Sequence, residues 1–266
     1  MNAKLAGKCA LVTGASGGIG QAVAQALAAE GARLVLHYNS NKRAIRALAK
    51  KIATPNIVVQ ADLRSEEAAE AMLAAAEAAF GQVDLLVVNA GIWLAESVPL
   101  HEMSLAQWEE TLAADLTSAF LTCRAFLRHL ARKPRESAGI VLVGSTAALF
   151  GEAGHADYAA AKAGMAYGLT LSLKNEIVLL APKGRVNCVC PGWTLTPMTE
   201  QSCGDGQIVD RVTATMPLRK LARPEDVAAA IVFLASDALS GHISGAILPV
   251  SGGMEGRLLH VGPVTE

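Results

Sequence analysis

A chain of 266 residues in which 52% of positions are apolar can bury a large core, since α/β folds reach about 250 residues as one unit, and this excludes disorder. A formal net charge of -1 with no long basic run excludes the electrostatic footprint of a nucleic-acid or anionic-membrane binder. Five cysteines, with Cys188 and Cys190 alternating along an apolar run, fit neither a disulfide framework nor a zinc site and read as reduced core thiols; no metal set is expected.

Met1 to Lys8 leads into an apolar run too short for a signal sequence or a membrane span, which predicts a cytoplasmic protein. Cys9 to Thr13 reads as a buried strand, followed at once by Gly14-Ala-Ser-Gly-Gly-Ile-Gly20 and an Ala-rich helix through Ala29. Strand, glycine turn and helix form a phosphate-binding arrangement. Glycines let the backbone approach a pyrophosphate, and the free N–H groups and positive dipole end of the helix meet its charge. A tight turn without a ligand is the alternative, and no Lys-Ser/Thr follows as a P-loop requires.

Arg33 to His37 is the next strand, and Asn39 onward opens a charged helix ending near Lys51. Ile57 to Gln60, Leu85 to Val88, Ile140 to Val143, Val186 to Val189 and Ala246 to Val250 are further apolar runs of strand length, separated by helical patterns. Seven strands alternating with helices predict an α/β fold in which a parallel sheet is doubly wound, with helices on both faces, across a single domain of residues 1–266. Arg124, Arg128, Arg132, Lys133 and Arg135 read as a solvated helix end that complements the dipole. Trp193 to Pro217 has no clear strand or helix pattern, which marks it as a lid.

Ser145 follows the run that ends at Val143, and Tyr158-Ala-Ala-Ala-Lys162 begins thirteen residues later. Tyrosine and lysine four apart share a helix face. An ammonium beside a phenol favours the phenolate and pulls a pKa of about 10 down toward the operating pH, which makes the hydroxyl a usable acid or base. Ser145 adds a further hydroxyl donor. Such spacing alone is common on amphipathic helices, where it is structural.

In this order the motifs resemble the short-chain dehydrogenase/reductase family over essentially the whole chain. The resemblance rests on Thr13 to Gly20, Asp62-Leu63, Asn89-Ala90-Gly91, Ser145, Tyr158, Lys162 and Pro191-Gly192 with Thr196. Arg223-Pro-Glu-Asp-Val and Ser251-Gly-Gly253 fit as well, although the family more often has Asp where Ser251 stands. It implies a Rossmann fold that binds a nicotinamide dinucleotide. Gly14, Ser16, Gly18, Ile19 and Gly20 would hold the pyrophosphate; Asp62 and Leu63 the adenine; Asn89, Ala90, Gly91, Pro191, Gly192, Thr194 and Thr196 the nicotinamide half. The implied activity is NAD(P)H-dependent reduction of a carbonyl, or oxidation of the matching secondary alcohol. Tyr158 would exchange the proton, Ser145 would hydrogen-bond the carbonyl oxygen, and Lys162 would bind the ribose and lower the Tyr158 pKa. A dinucleotide-binding regulator with little or no turnover is the alternative. A hydrolase is disfavoured because Gly144-Ser145 lacks the pattern of a nucleophile elbow.

One departure concerns Leu112-Ala-Ala-Asp115-Leu116, where the family usually carries an asparagine that anchors a water linking the lysine to solvent. An ionised carboxylate accepts hydrogen bonds but cannot donate, so Asp115 is expected either to be tolerated or to tune the relay. At the end of the second strand, NAD-preferring relatives place an acid; here that position is Tyr38, followed by Asn39 and Ser40, so NADP(H) is expected over NAD(H), with both possible. Lys42 and Arg43 could add charge. Trp93, Leu94, Leu149, Phe150, Trp193, Leu195 and Met198 are expected to line a partly apolar substrate pocket for a small-molecule carbonyl or alcohol. His155 reads as a solvated loop histidine. The resemblance also implies a homotetramer built on the helices from about Leu105 to Leu130 and Tyr158 to Leu180.

Overall fold

Strand-length runs that are mostly apolar have little face to give to water, so they pair where helices cover both sides. In the computed structural model, which describes residues 2–199 and 206–255, seven such runs form one sheet. They are β1 (Cys9–Val12), β2 (Arg33–Tyr38), β3 (Asn56–Gln60), β4 (Leu85–Val88), β5 (Gly139–Val143), β6 (Arg185–Pro191) and β7 (Ile247–Val250). Their spatial order is β3-β2-β1-β4-β5-β6-β7 and every pairing is parallel. β1 lies between β2 and β4, with Leu11 opposite both Val35 and Leu86. The order therefore reverses beside β1, the switch point at which open parallel sheets bind ligands.

The principal helices are α1 (Gly18–Ala29), α2 (Lys42–Lys51), α3 (Glu66–Phe80), α4 (Leu105–Leu112), α5 (Ser118–Arg132), α6 (Ala147–Phe150), α7 (Ala156–Ala163), α8 (Thr170–Glu176), α9 (Gly206–Thr213) and α10 (Pro224–Ala235). α1 packs closely on α10 over one face of the sheet, and α3 on α5 over the other. Each layer has its own buried core. Leu27, Leu34 and Ile231 belong to the first, and Leu86, Phe126 and Leu142 to the second. Hydroxyl and amide side chains start several helices: Asn41, Ser65 and Ser104 accept from the backbone N–H of Ala44, Ala68 and Gln107. The Arg223 N–H donates to Asp226 Oδ2 at 2.8 Å and Pro224 takes the first helical position, so the Arg-Pro-Glu-Asp segment is the start of α10.

Two expectations change. The stretch expected to be a lid is not patternless, because α9 lies within it; residues 200–205 of that stretch fall outside the described residues. The basic row along α5 is not simply solvated either. Arg124 and Arg128 pair with Glu66, Arg128 also with Glu70, and Lys133 with Glu77, so the row fastens α5 to the acidic side of α3. Cys9, Cys123, Cys188 and Cys190 are free and buried, as expected; Cys203 lies outside the described residues. Burial, with Asp84 nearby, pushes the Cys9 thiol up to about 12, and burial alone does the same for Cys123, which leaves both protonated. Among the described residues no helix is long and apolar enough to cross a membrane.

Candidate active site

The carboxyl ends of β1, β4, β5 and β6 open onto a cleft of about 670 Å³. At one end lies the glycine turn. Gly14 has φ +62°, and a Cβ there would come within 2.8 Å of the Ala90 backbone, so only glycine lets the β1 and β4 ends meet so closely. Thr13 locks the contact, since its Oγ1 accepts from the N–H groups of Asn89 at 2.9 Å and Ala90 at 3.0 Å. The Asn89 amide returns the bond to the carbonyls of Thr13 and Gly14. Gly17 precedes α1 without a side-chain cap, so first-turn N–H groups stay free to meet an anion. Gly14, Ser16, Gly18, Ile19 and Gly20 all line the cleft.

His37 belongs to this end and was not legible as a site residue. Its Nδ1 accepts the Gly14 N–H at 3.0 Å and its Nε2 lies 3.0 Å from the Ala61 carbonyl, an arrangement that the neutral Nε2–H tautomer satisfies. Burial pushes its pKa down, which favours that neutral form. Strand alternation separates the next positions. His37, Asn39, Ser40 and Asn41 line the cleft, whereas the side chain of Tyr38 is 8% exposed and belongs to the core with Leu36 and Ile45. Tyr38, expected at the cofactor position, does not line the cleft with its side chain, because the period of two turns the ring inward. Asp62 and Leu63 line the cleft as expected, joined by Arg64, which chelates both Asp62 oxygens and reaches Glu110 at 2.9 Å. The hydrogen bonds from Arg64 hold the Asp62 carboxyl below its ordinary range. Lys42 and Arg43 are exposed in the first turn of α2 and do not line the cleft.

At the other end Ser145, Tyr158 and Lys162 converge. Ser145 follows β5, and its Oγ accepts the Ala147 N–H at 3.1 Å at the start of α6. Tyr158 and Lys162 are one turn apart on α7, with the ammonium 5.5 Å from the phenol ring centre. α7 is itself anchored: Asp157 accepts from Thr111 Oγ1 at 2.7 Å and from Gln107 at 3.2 Å, tying it to α4. Lys162 Nζ donates to the Val143 carbonyl at 3.3 Å and pairs with Asp115 Oδ2 at 3.4 Å. Asp115 does not line the cleft. It is fully buried behind it on a widened π turn, Ala113–Thr117, where Oδ1 accepts the Ile92 N–H at 2.7 Å and Oδ2 has no well-directed donor.

These charges reverse one expectation. Burial pushes the Tyr158 phenol up; Lys162 pulls it down without prevailing, because the Asp115 carboxylate adds to the rise, and the net direction is upward. Burial likewise raises Asp115 against the pull of Lys162. Burial pulls Lys162 down, but the charges of Asp115 and Tyr158 outweigh it and its net shift is upward.

Asn89, Ala90, Gly91, Pro191, Gly192, Thr194 and Thr196 line the stretch between the two ends. Of the expected pocket residues, Trp93, Trp193 and Met198 line the cleft, while Leu94, Leu149, Phe150 and Leu195 do not. His155 is not solvated. It is 6% exposed and packs at a tilt on Trp93, ring centres 5.2 Å apart, and Trp93 meets Trp193 edge to face at 5.9 Å. Glu152, which the sequence reading passed over, also lines the cleft. Among the described residues no cluster of His, Cys, Asp and Glu could hold a metal ion.

An elongated dinucleotide fits these residues, since the cleft joins an uncapped helix N-terminus at a glycine turn to a serine, tyrosine and lysine set. Comparison with known proteins agrees. A family model described as enoyl-(acyl carrier protein) reductase matches residues 14–255. The chain is 38% identical over 258 residues to the cis-4-hydroxycyclohexanecarboxylate dehydrogenase of Sinomonas cyclohexanicum, covering 95% of this chain and 98% of that one. It is 37% identical over 258 residues to the L-rhamnose 1-dehydrogenase (NAD(P)(+)) of Azotobacter vinelandii, covering 93% and 96%. Among solved structures it resembles a Brucella melitensis protein described as short-chain dehydrogenase/reductase SDR:glucose/ribitol dehydrogenase, with TM-score 0.86, 35% identity and coverage of 95% and 98%.

Proposed function

The chain belongs to the short-chain dehydrogenase/reductase family, and from that premise we propose how its own residues carry out the reaction. It is an NAD(P)H-dependent oxidoreductase that interconverts a carbonyl and the matching alcohol. The observation that carries the assignment of residues is the convergence of Ser145, Tyr158 and Lys162 at the far end of the cleft from the glycine turn. When bound, the nicotinamide supplies the hydride for reduction and accepts it for oxidation. Tyr158 gives its hydroxyl proton to the carbonyl oxygen, Ser145 hydrogen-bonds that oxygen as charge develops, and Lys162 orients the ribose and the phenol together. Asp115 acts through Lys162 and is a positioning residue. We assign the whole of residues 1–266 to one dehydrogenase domain, with Trp193 to Thr199 of the expected lid beside the cleft. The regulator alternative is not favoured, since the relatives named are dehydrogenases. Absorbance at the reduced-nicotinamide band, followed over a panel of ketones and aldehydes with both cofactors, tests the reading; no turnover on any compound would reject it.

NADP(H) is the preferred cofactor in this reading. The residues at the end of β2 that line the cleft, Asn39, Ser40 and Asn41, are neutral donors, and no carboxylate there repels a 2′-phosphate. We expect NADPH to exceed NADH by about tenfold in kcat/KM, or roughly 1.4 kcal/mol. Asn39→Asp should reverse the order. Parity of the two cofactors in the unmodified protein would show that these amide and hydroxyl groups do not reach the ribose.

A homotetramer is the expected assembly. Leu105 on α4 is 69% exposed, Leu179 just past α8 is 82% exposed, and Phe120 on α5 and Leu171 on α8 are also exposed, a pattern that suits burial against symmetry mates. Sedimentation at micromolar concentration should show a species about four times the 27.5 kDa chain mass; the monomer alone would remove the claim.

A further inference from the structure

We propose that Glu152 is a specificity-determining residue that accepts a hydrogen bond from a substrate hydroxyl near the reacting carbonyl, so that the preferred substrates are neutral hydroxylated ketones or aldehydes. The proposal deepens the reductase reading and rests on it.

Glu152 lines the cleft together with Ser145, Tyr158, Trp93 and Trp193, at the reacting end and away from the Asp62 and Arg64 end. Its loop is built rather than loose. Gly151 and Gly154 both take positive φ, 73° and 80°, and a Cβ on Gly154 would strike the Ser97 side chain. The Gly154 carbonyl accepts the Val98 N–H at 2.9 Å, and the Glu152 carbonyl accepts the His155 N–H at 3.1 Å. The carboxylate has aromatic neighbours as well: His155 Nε2 stands 3.9 Å from Oε1, and the Trp93 ring packs on the His155 ring at 5.2 Å between centroids. Burial pushes its carboxyl up, opposed first by the nearby His155 and then by the Trp93 indole N–H.

A carboxylate has about four acceptor sites, more than a single indole N–H such as that of Trp93 could fill. The side chain remains 26% exposed on the cleft side, so a ligand that seals this end must bring a donor or leave a desolvated anion unpaired. An anionic substrate group would be repelled. An ammonium would satisfy Glu152 but would share a small pocket with the Lys162 ammonium and stand near the His155 ring. A hydroxyl donates without adding charge. The edge-to-face pair of Trp93 and Trp193 supplies apolar surface for the C–H groups that accompany hydroxyls on a ring or chain.

The test is steady-state kinetics of the full chain on cyclohexanone and its α-hydroxy, α-amino and ring-carboxylate derivatives, with both cofactors. In the wild type the α-hydroxy ketone should exceed the parent in kcat/KM by about tenfold or more, the strength expected of a hydrogen bond to a charged acceptor. Glu152→Ala should bring that ratio close to one, and Glu152→Gln, whose amide oxygen still accepts, should retain part of it. Thermal melts of the variants report folding separately. An unchanged ratio in Glu152→Ala, or a preference for the α-amino ketone, would overturn the proposal. Turnover of none of the four compounds would count against the reductase reading instead. Tryptophan emission then reads the subsite without turnover: quenching by the α-hydroxy ketone in the wild type but not in Glu152→Ala supports it, and equal response overturns it.

Discussion

Tyr158→Phe lowers turnover by about 10²- to 10⁴-fold while cofactor affinity stays within a few-fold, the expected cost of removing a group that moves a proton and little else. The ring stays in place because α7 is held by Asp157 against Thr111 and Gln107, contacts that do not involve the hydroxyl. Lys162 also keeps its bond to the Val143 carbonyl, so the ribose contact we assign to it persists. The two quantities are read from reduced-nicotinamide absorbance and from fluorescence titration of the bound cofactor. Near-full rate in the phenylalanine variant on every accepted substrate would mean that the proton comes from elsewhere. The upward pKa of Tyr158 adds a direction to the pH profile. Reduction needs the phenol and stays level through neutral pH, whereas oxidation needs the phenolate and speeds up as the medium becomes alkaline.

Asp115→Ala is expected to destabilise the fold by about 3–5 kcal/mol, because it removes one partner of a buried pair and strands the Lys162 ammonium. It also deprives the Ile92 N–H of its acceptor. Calorimetry should show a fall in Tm of roughly ten degrees for a chain of this size. Asp115→Asn behaves differently, since an amide oxygen can still accept from Ile92. Burial holds the folded Asp115 pKa above its unfolded value, so its ionisation opposes folding as pH rises past about 3.9, and the amide removes that opposition. Lys162, with a raised folded pKa, contributes stability that is complete below about 10.4 and is lost as pH climbs through the folded value; without the carboxylate that contribution shrinks. The amide also removes one of the charges that raise Tyr158, so the alkaline limb of the oxidation profile should move to lower pH. A melt of Asp115→Ala indistinguishable from the wild type would show that the carboxylate is uncoupled from Lys162, and an unmoved limb in Asp115→Asn that its charge does not act on Tyr158.

The sheet could be read in advance because strands covered by helices leave nearly continuous apolar runs; β4 has the expected bounds and the others differ at their ends by one or two residues. The glycine turn and the Ser145, Tyr158 and Lys162 set were legible because each depends on spacing along the chain. What escaped depends on contacts across it. Glu152 faces the cleft by virtue of a loop packed on Ser97 and Val98, and nothing in its neighbours' periodicity announces that. His155 looked solvated because a loop position says nothing of the Trp93 ring beyond it. Counting to the strand end does not reveal the alternation of side chains that turns the Tyr38 ring into the core. The direction of the Tyr158 pKa failed for a related reason: Lys162 is visible one turn away, but burial and Asp115 come from the folded whole.

His37 makes the cofactor turn answer to acid. The lone pair on Nδ1 that receives the Gly14 N–H is the one a proton would take, so the backbone amide and the hydronium ion compete for a single seat. Because burial depresses the folded pKa, the stability this ring confers is whole above about 6.5 and drains away as the medium acidifies toward the lower folded value; the nearby Asp62 charge softens the shift. Once the ring is a cation it can only donate, the Gly14 amide loses its acceptor, and the tie from the first strand through the second to Ala61 opens at the turn. Acidification would thus loosen the dinucleotide's anchorage before it reached the Tyr158 chemistry.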